Sequence, residues 1–425
     1  MKDMAFIASI IVFVTAYGLI IWEKIPRAVT AMLGGLIMIL LGFLNQEMAI
    51  NDDIDFNTLG LLIGMMILVA ITRRSGVFEA LAIWSAKATG GNPLRLLGLL
   101  SLITAFMSAF LDNVTAVLLI APVSIILADT LRVNPLPYLI AEIVASNIGG
   151  TATLIGDPPN IMIGSSTGLG FMDFLVHMAP IALAILLATT ALLLLVYRKE
   201  FSGEIENRDT ILAMDPAEKI KDWALLKKSL AVLALTITGF GLHGLLHLES
   251  ATIALTGAMI LMIISREEPE EILLLVEWPT IFFFVGLFVL VGGLKATGVI
   301  AALAQWALDI TQGDTQTASL LILWLSAIAS GFVDNIPFVA TMIPMIHEMG
   351  ALSGMELEPV WWSLALGACL GGNGTLVGAS ANIIVAGIAE KAGVPISFKQ
   401  FFLVGFPFML VSVAMAHIYV LFRFF

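Results

Sequence analysis

Residues 149–161 read GGTATLIGDPPNI and residues 371–383 read GGNGTLVGASANI, seven identities in thirteen at an offset of 222. Both stretches interrupt long apolar sequence. Paired glycines weaken a helix and Pro158-Pro159 breaks one, so a span reaching this point unwinds. Two more matches keep the register. SAFLDNVTAV (108–117) lies over SGFVDNIPFV (330–339) with five identities in ten, and GVFEALAIW (76–84) over GVIAALAQW (298–306) with six in nine. Three matches at one offset mark an internal duplication.

The 425 residues are 59% hydrophobic and only 12% charged, about half the charged share of a soluble protein. A helix crossing the ~30 Å hydrocarbon core takes about 20 apolar residues, and such runs recur. Spans are predicted near 4–22, 28–44 and 57–72, then limbs at 94–111 and 114–130, a broken span over about 136–170, and a span at 175–197. The second half repeats the pattern: 229–246, 250–265, 277–294, limbs near 317–333 and 336–349, a broken span near 357–390, and 402–423. The run at 4–22 lacks the basic start and cleavage site of a signal peptide and reads as a retained span. The expected fold is an all-α polytopic membrane protein in two halves, 1–197 (span 1 plus the first repeat) and 229–425 (the second), joined by a polar linker, 198–228.

Charge orients the spans. With the linker in the cytoplasm, and each limb pair a re-entrant hairpin over 94–130 and 317–349, 17 of the 20 Lys and Arg fall inside. Both termini and the acidic loop 45–56 then fall outside. The two hairpins enter from opposite faces, so the repeats are inverted, and a binding site is expected where the broken elements meet.

Each repeat offers two polar interruptions. Asp112-Asn113 and Asp334-Asn335 stand at the hairpin tips. A carboxylate inside apolar sequence is costly in lipid and is a functional candidate, while Asp and Asn also cap the helix start that a tip requires. The Gly-rich breaks add Thr151, Thr153, Asp157 and Asn160 in the first repeat, and Asn373, Thr375, Ser380 and Asn382 in the second. Thr115 and Asn147 flank them. The Thr, Asn and Ser side chains among them are short neutral groups that, beside freed carbonyls, suit a small polar solute or a partly dehydrated cation. Asp157 corresponds to Ala379, so the site is expected to hold three carboxylates, Asp112, Asp157 and Asp334, and no Lys or Arg. All three are proton-coupling candidates, because desolvation and mutual repulsion favour bound protons. The missing base argues against di- and tricarboxylates.

Other features exclude more than they assign. The single cysteine, Cys369, rules out a disulfide within the chain and a thiolate cluster, and reads as a core residue. No phosphate-binding G-x-x-x-x-G-K-[ST] loop occurs, so nucleotide hydrolysis on this chain does not drive transport. His177, His347 and His417 have no metal-ligand spacing; no metal, cofactor, catalytic residue or nucleic-acid partner is expected. His243 and His247 read as interfacial, Trp361-Trp362 as part of an aromatic belt. Glu142 fits a proton role and a structural one equally. The linker leaves room for a cytosolic partner.

At LDNVTAVLLIAPV (111–123), AEIVASNIGGTATLIGDPPNIMIG (141–164) and FVDNIPFVATMIPM (332–345) the chain resembles the ion transporter superfamily. The likeness is to its arsenite-permease and sodium–proton-antiporter branch, which includes the melanosomal P protein. The resemblance implies a scaffold, a mobile transport part carrying both hairpins, elevator-like movement, a homodimer in the plasma membrane and, for arsenite permeases, a cytosolic ATPase partner. It also implies proton-coupled efflux of arsenite or antimonite, with sodium–proton exchange or anion transport as alternatives. Carboxylate transporters of the superfamily carry Ser-Asn-Thr at the tips; this chain has Asp112-Asn113-Val114 and Asp334-Asn335-Ile336.

A cysteine at Ser202 should react with a membrane-impermeant reagent only from the cytoplasm, and one at Asn51 only from outside. Labelling of both from one side overturns the inverted arrangement.

Overall fold

The computed structural model describes residues 2–22, 24–202 and 207–425; residues 203–206 of the expected linker lie outside the described residues. Among the described residues there are helices and no strand, and ten helices are long and apolar enough to cross a membrane.

The first half comprises Lys2–Trp22 (α1), Arg27–Leu40 (α2), Phe56–Arg74 (α3), Val77–Ala88 (α4), Pro93–Leu111 (α5), Asn113–Thr130 (α6), Leu136–Thr151 (α7), Pro158–Thr167 (α8) and Ala179–Tyr197 (α9). The second comprises Trp223–Leu246 (α10), Ser250–Ser265 (α11), Trp278–Ala296 (α12), Val299–Thr311 (α13), Thr315–Phe332 (α14), Asn335–Ser353 (α15), Glu358–Gly371 (α16), Ser380–Lys391 (α17) and Phe398–Phe424 (α18). Helices α3 to α8 and α12 to α17 start at positions exactly one repeat offset of 222 apart, and α1 and α2 follow within one residue. Matching signals set these starts. Asn92 and Asp314 cap α5 and α14 by accepting from Arg95 N and Thr317 N, satisfying orphan donors of the first turn.

Two features depart from the spans read in sequence. The matched GVFEALAIW and GVIAALAQW segments are short helices of their own, α4 and α13, each entered through a left-handed glycine, Gly76 at φ 82° and Gly298 at φ 85°. Helix α10 also starts inside the expected linker, where Asp222 caps it by accepting from Ala224 N and Leu225 N.

The halves interlock. Helix α2 packs along α12 and α11 along α3, each pair joining one half to the other. Small residues permit the approach: a Cβ on Gly286 would lie 2.3 Å from Met32 N, and one on its counterpart Gly64 2.7 Å from Ala254 C. With α1 and α10 these helices form the outer part. The limb pairs α5–α6 and α14–α15, with the broken helices α7–α8 and α16–α17, form the inner part. There too the halves exchange contacts, α8 packing on α15 and α17 on α6.

Helix α3 defines two faces, its 19 residues rising about 28 Å. At its start, Asp55 Oδ1 accepts from Ser165 Oγ at 2.8 Å. At its end, Arg74 pairs with Glu267 and Glu271, and Ser75 O accepts from Lys221 N of the linker at 2.8 Å. The base of the first hairpin meets the linker, through Arg208 Nε to Gly90 O at 2.6 Å and Asn207 Nδ2 to Thr130 O at 3.2 Å. The base of the second lies at the other face, His347 Nε2 being 2.7 Å from Ser166 Oγ, beside Ser165. The hairpins therefore enter from opposite faces, and the repeats are inverted.

Gly286→Ala should lower the thermal-unfolding midpoint of detergent-solubilised protein, a loss of about 1–3 kcal/mol by overpacking. Gly18→Ala, where an added Cβ meets nothing within 4 Å, should not. Equal midpoints would refute close packing at Gly286.

Candidate functional site

The hairpin tips meet inside the protein. Asp112 caps α6 with both oxygens, Oδ1 accepting from Thr115 N and Oδ2 from Thr115 Oγ1, each at 2.7 Å. Its backbone stands at φ 94° and ψ 156°, a region that costs a non-glycine residue on the order of 1–3 kcal/mol. Asp334, at φ −47°, is unstrained. Its Oδ1 accepts from Ile336 N at 3.1 Å, which leaves Oδ2 for other partners.

The two breaks are sewn by equivalent bonds. Asn160 Nδ2 donates to Gly150 O, Thr151 O and Thr153 O at 2.9–3.3 Å. Its counterpart Asn382 donates to Gly372 O and Thr375 O at 2.7 and 2.8 Å. Thr153 and Thr375 reach the limb carbonyls Ala109 O and Gly331 O, and Thr151 bonds back to Asn147 O at 2.7 Å. Across the axis Asn147 Nδ2 donates to Asn373 Oδ1 and Asn382 Oδ1, both at 2.9 Å, and its Oδ1 accepts from Asn113 Nδ2 at 3.2 Å. Cys369 stands one offset of 222 from Asn147 and repeats the cross-axis bond weakly, Sγ to Asn160 Oδ1 at 3.4 Å. The lone cysteine thus belongs to the core of the crossing.

A cavity of about 30 Å³ opens at the tips, lined by Asp112, Asn113, Thr115, Asp157, Asn335 and Ser380 among the residues expected. Asn335 Nδ2 donates to both Asp157 oxygens at 3.3 and 3.2 Å. Asp334 borders the cavity through Ser380 Oγ, which donates to its Oδ2 at 2.7 Å. Asn147, Thr151, Thr153, Asn160, Asn373, Thr375 and Asn382 do not line it; their polar groups are used to hold the breaks.

The expectation of a site without Lys or Arg is corrected. Arg27, at the start of α2, lines the cavity, and its Nη1 lies 3.0 Å from Asp334 Oδ2 and 2.5 Å from Ser380 Oγ. Glu277 and Thr280, at the start of α12, line it as well. Neither motif marks these residues, because they come from the outer part and reach the tips only through the fold. In sequence Arg27 reads as one more basic residue at a span end.

The aromatic-belt reading of Trp361-Trp362 is also corrected. Trp361 is 5% and Trp362 0% exposed, and Trp362 packs edge-on to Phe174 and stacks on His177. Both are covered by neighbouring protein, so neither presents its ring to lipid. Glu142 is fully buried and accepts from Ser124 Oγ. No group of His, Cys, Asp and Glu fit to hold a metal occurs among the described residues. A second cavity, of about 550 Å³, lies at the face opposite the linker between α12 and α15, with Asp53, Lys295 and His347 in its walls. Burial raises the Asp53 carboxyl above its usual range, and Lys295 works against that shift.

Inverted repeats, two opposed hairpins and paired broken helices around one polar cavity are the architecture of a secondary transporter. Residues 17–367 match the citrate transporter family, CitMHS, and the chain belongs to that family. It is 43% identical over 424 residues to an uncharacterized transporter of Mycobacterium tuberculosis, covering 99% of each chain. It is 36% identical to the human P protein, over 95% of this chain and 58% of that longer protein. The fold is shared with the YdaH transporter of Alcanivorax borkumensis, with a TM-score of 0.61 at 14% identity, covering 95% of this chain and 97% of that one. It is shared too with MtrF of Neisseria gonorrhoeae, described among antimetabolite efflux pumps, at 0.62 and 11%, covering 92% and 84%.

Asn147→Ala strands three polar partners and should lower the unfolding midpoint, at about 1–3 kcal/mol per stranded buried group. Cys369→Ala, its counterpart, removes one weak donor and should stay near the parent. Equal losses would show that the crossing depends on shape and not on hydrogen bonds.

Proposed function

We propose that this transporter exports a small inorganic solute, arsenite or antimonite, in exchange for protons, by elevator movement of the inner part against the outer. The observation that carries the reading is the cavity at the two tips. Its volume, about 30 Å³, holds about two waters, which suits a solute of a few heavy atoms better than a tricarboxylate. Its walls divide as an elevator requires. Asp112, Asp157, Asn335 and Ser380 ride on the inner part, whereas Arg27, Leu62, Met66, Glu277 and Thr280 belong to the outer part. Arsenite at neutral pH is an uncharged trihydroxide, so its hydroxyls meet Asn and carboxylate oxygens without needing a fixed charge. Protons exchanged on the carboxylates supply the driving force. The outer helices carry exposed apolar side chains, among them Leu33 and Leu36 on α2 and Leu235 and Leu245 on α10. Such faces suit lipid and the homodimer contact of a stationary scaffold in the plasma membrane, with both chain ends outside.

Sodium–proton exchange is a second reading, favoured by the charge of the site. Among the described residues Asp112, Asp157, Asp334 and Glu277 stand around a single guanidinium, an excess that a sodium ion would offset.

Asp157 has no acidic counterpart, so its role should differ from that of the tip residues. Asp157→Asn should abolish proton-driven accumulation of radiolabelled arsenite in proteoliposomes, keep some downhill flux, and flatten the pH dependence of flux. An unchanged proton-to-arsenite ratio excludes Asp157 as the carrier. Sodium-dependent proton flux without arsenite flux favours the second reading.

A further inference from the structure

Among the described residues Arg27 is the only Lys or Arg in the wall of the tip cavity, and it comes from the wrong side of the moving boundary to be a simple ligand. Helix α2, which it begins, packs on α1 and α12 and belongs to the outer part. The residues it holds, Asp334 and Ser380, ride on the inner part, at the second tip and at the start of α17. The ion pair therefore spans the surface along which the two parts slide.

Three further observations give this contact a direction. Asp334 is free to take it, since only one of its oxygens caps a helix, whereas Asp112 spends both on α6. The repeat does not duplicate it, because the residue one offset of 222 from Arg27 is Glu249, which lines a different cavity beside His243 and His247. The pair is also incompletely sealed, with side-chain exposures of 32% for Arg27 and 11% for Asp334, so a proton or cation can reach the carboxylate. When the bond opens, the ring of Phe283, 5.2 Å from Arg27 Cζ, still holds the guanidinium.

We propose that Arg27 is the coupling residue of this carrier, an outer-part cation that ties the unloaded Asp334 and releases it when that carboxylate takes up its proton or cation. This rests on the elevator movement proposed above and not on the choice of arsenite. A charged Asp334 is held across the boundary; a neutralised one loses the attraction, and the inner part moves. The empty carrier stays put, which makes exchange obligatory. The charged and titratable groups facing the pair are Tyr17 from α1, Glu277 from α12, Asp112 from the first tip and Asp157 from the first break.

The test needs no solute. In a Cys369→Ala background, Ile343→Cys places a reporter on α15 in the wall of the large cavity opposite the linker face. Its rate of reaction with a membrane-impermeant maleimide reads the position of the inner part. With Arg27 the rate should change between alkaline and acid pH by roughly tenfold, a typical coupling between two states. Arg27→Gln should show the acid rate at both, and Arg27→Lys should restore the dependence. Asp334→Asn, which mimics the loaded carboxyl, should also show the acid rate throughout. A parental pH profile in Arg27→Gln, with an unchanged unfolding midpoint, overturns the proposal. If Arg27→Gln does not fold, a parental profile in Asp334→Asn overturns it equally. A switch lost in Arg27→Gln together with absent arsenite flux in the parent upholds the coupling residue and rejects arsenite.

Discussion

Backbone groups freed inside a bilayer must find partners within the protein, and this chain frees them four times. Each tip and each break exposes carbonyls and N–H groups that lipid cannot satisfy. Asn160 and Asn382 answer at the breaks, Thr153 and Thr375 at the limb ends, Asp112 and Asp334 at the tips. Because Thr153 and Thr375 reach from the breaks to carbonyls of the limbs, their share of the repair also fixes the hairpins against the broken helices. What the repair leaves over is the cavity.

The site owes its chemistry to departures from two-fold symmetry. A perfect duplication would set Asn147 against a second Asn, Asp157 against a second Asp and Arg27 against a second Arg. The chain has Cys369, Ala379 and Glu249 at those places. The consequence is one extra carboxylate at the first break and one guanidinium on the second tip; the backbone strain at Asp112, which Asp334 does not share, is a further departure. The repeat builds the frame, and the exceptions make the two tips chemically distinct.

Much of this was legible in the residues. The offset of 222 located both hairpins and both breaks, since Gly pairs, Pro158-Pro159 and Asp-Asn tips act locally on the backbone and need no tertiary context. The helical nature of α4 and α13 was not, although their sequences matched, because short half-buried helices lack the long apolar run that marks a span. Arg27, Glu277 and Thr280 were missed for another reason. They are remote in sequence from every motif, and only the crossing of α2 on α12 brings them to the tips. Conversely, Thr151, Thr153, Asn373 and Thr375 looked like ligands because polar atoms at a break either face a solute or mend the backbone, and sequence does not separate the two.

The pairing of α2 with α12 and of α11 with α3 bears on how the chain is made. Until the linker has emerged from the ribosome, the small-residue faces at Gly35 and Gly64 have no protein to meet, because their partners Gly286 and Ala254 are not yet synthesised. The first half consequently enters the bilayer with its tightest interfaces open to lipid, and the outer part closes only after α12 is inserted. Membrane insertion and tertiary folding are thus separated in time, and the first half waits for the second before either is complete.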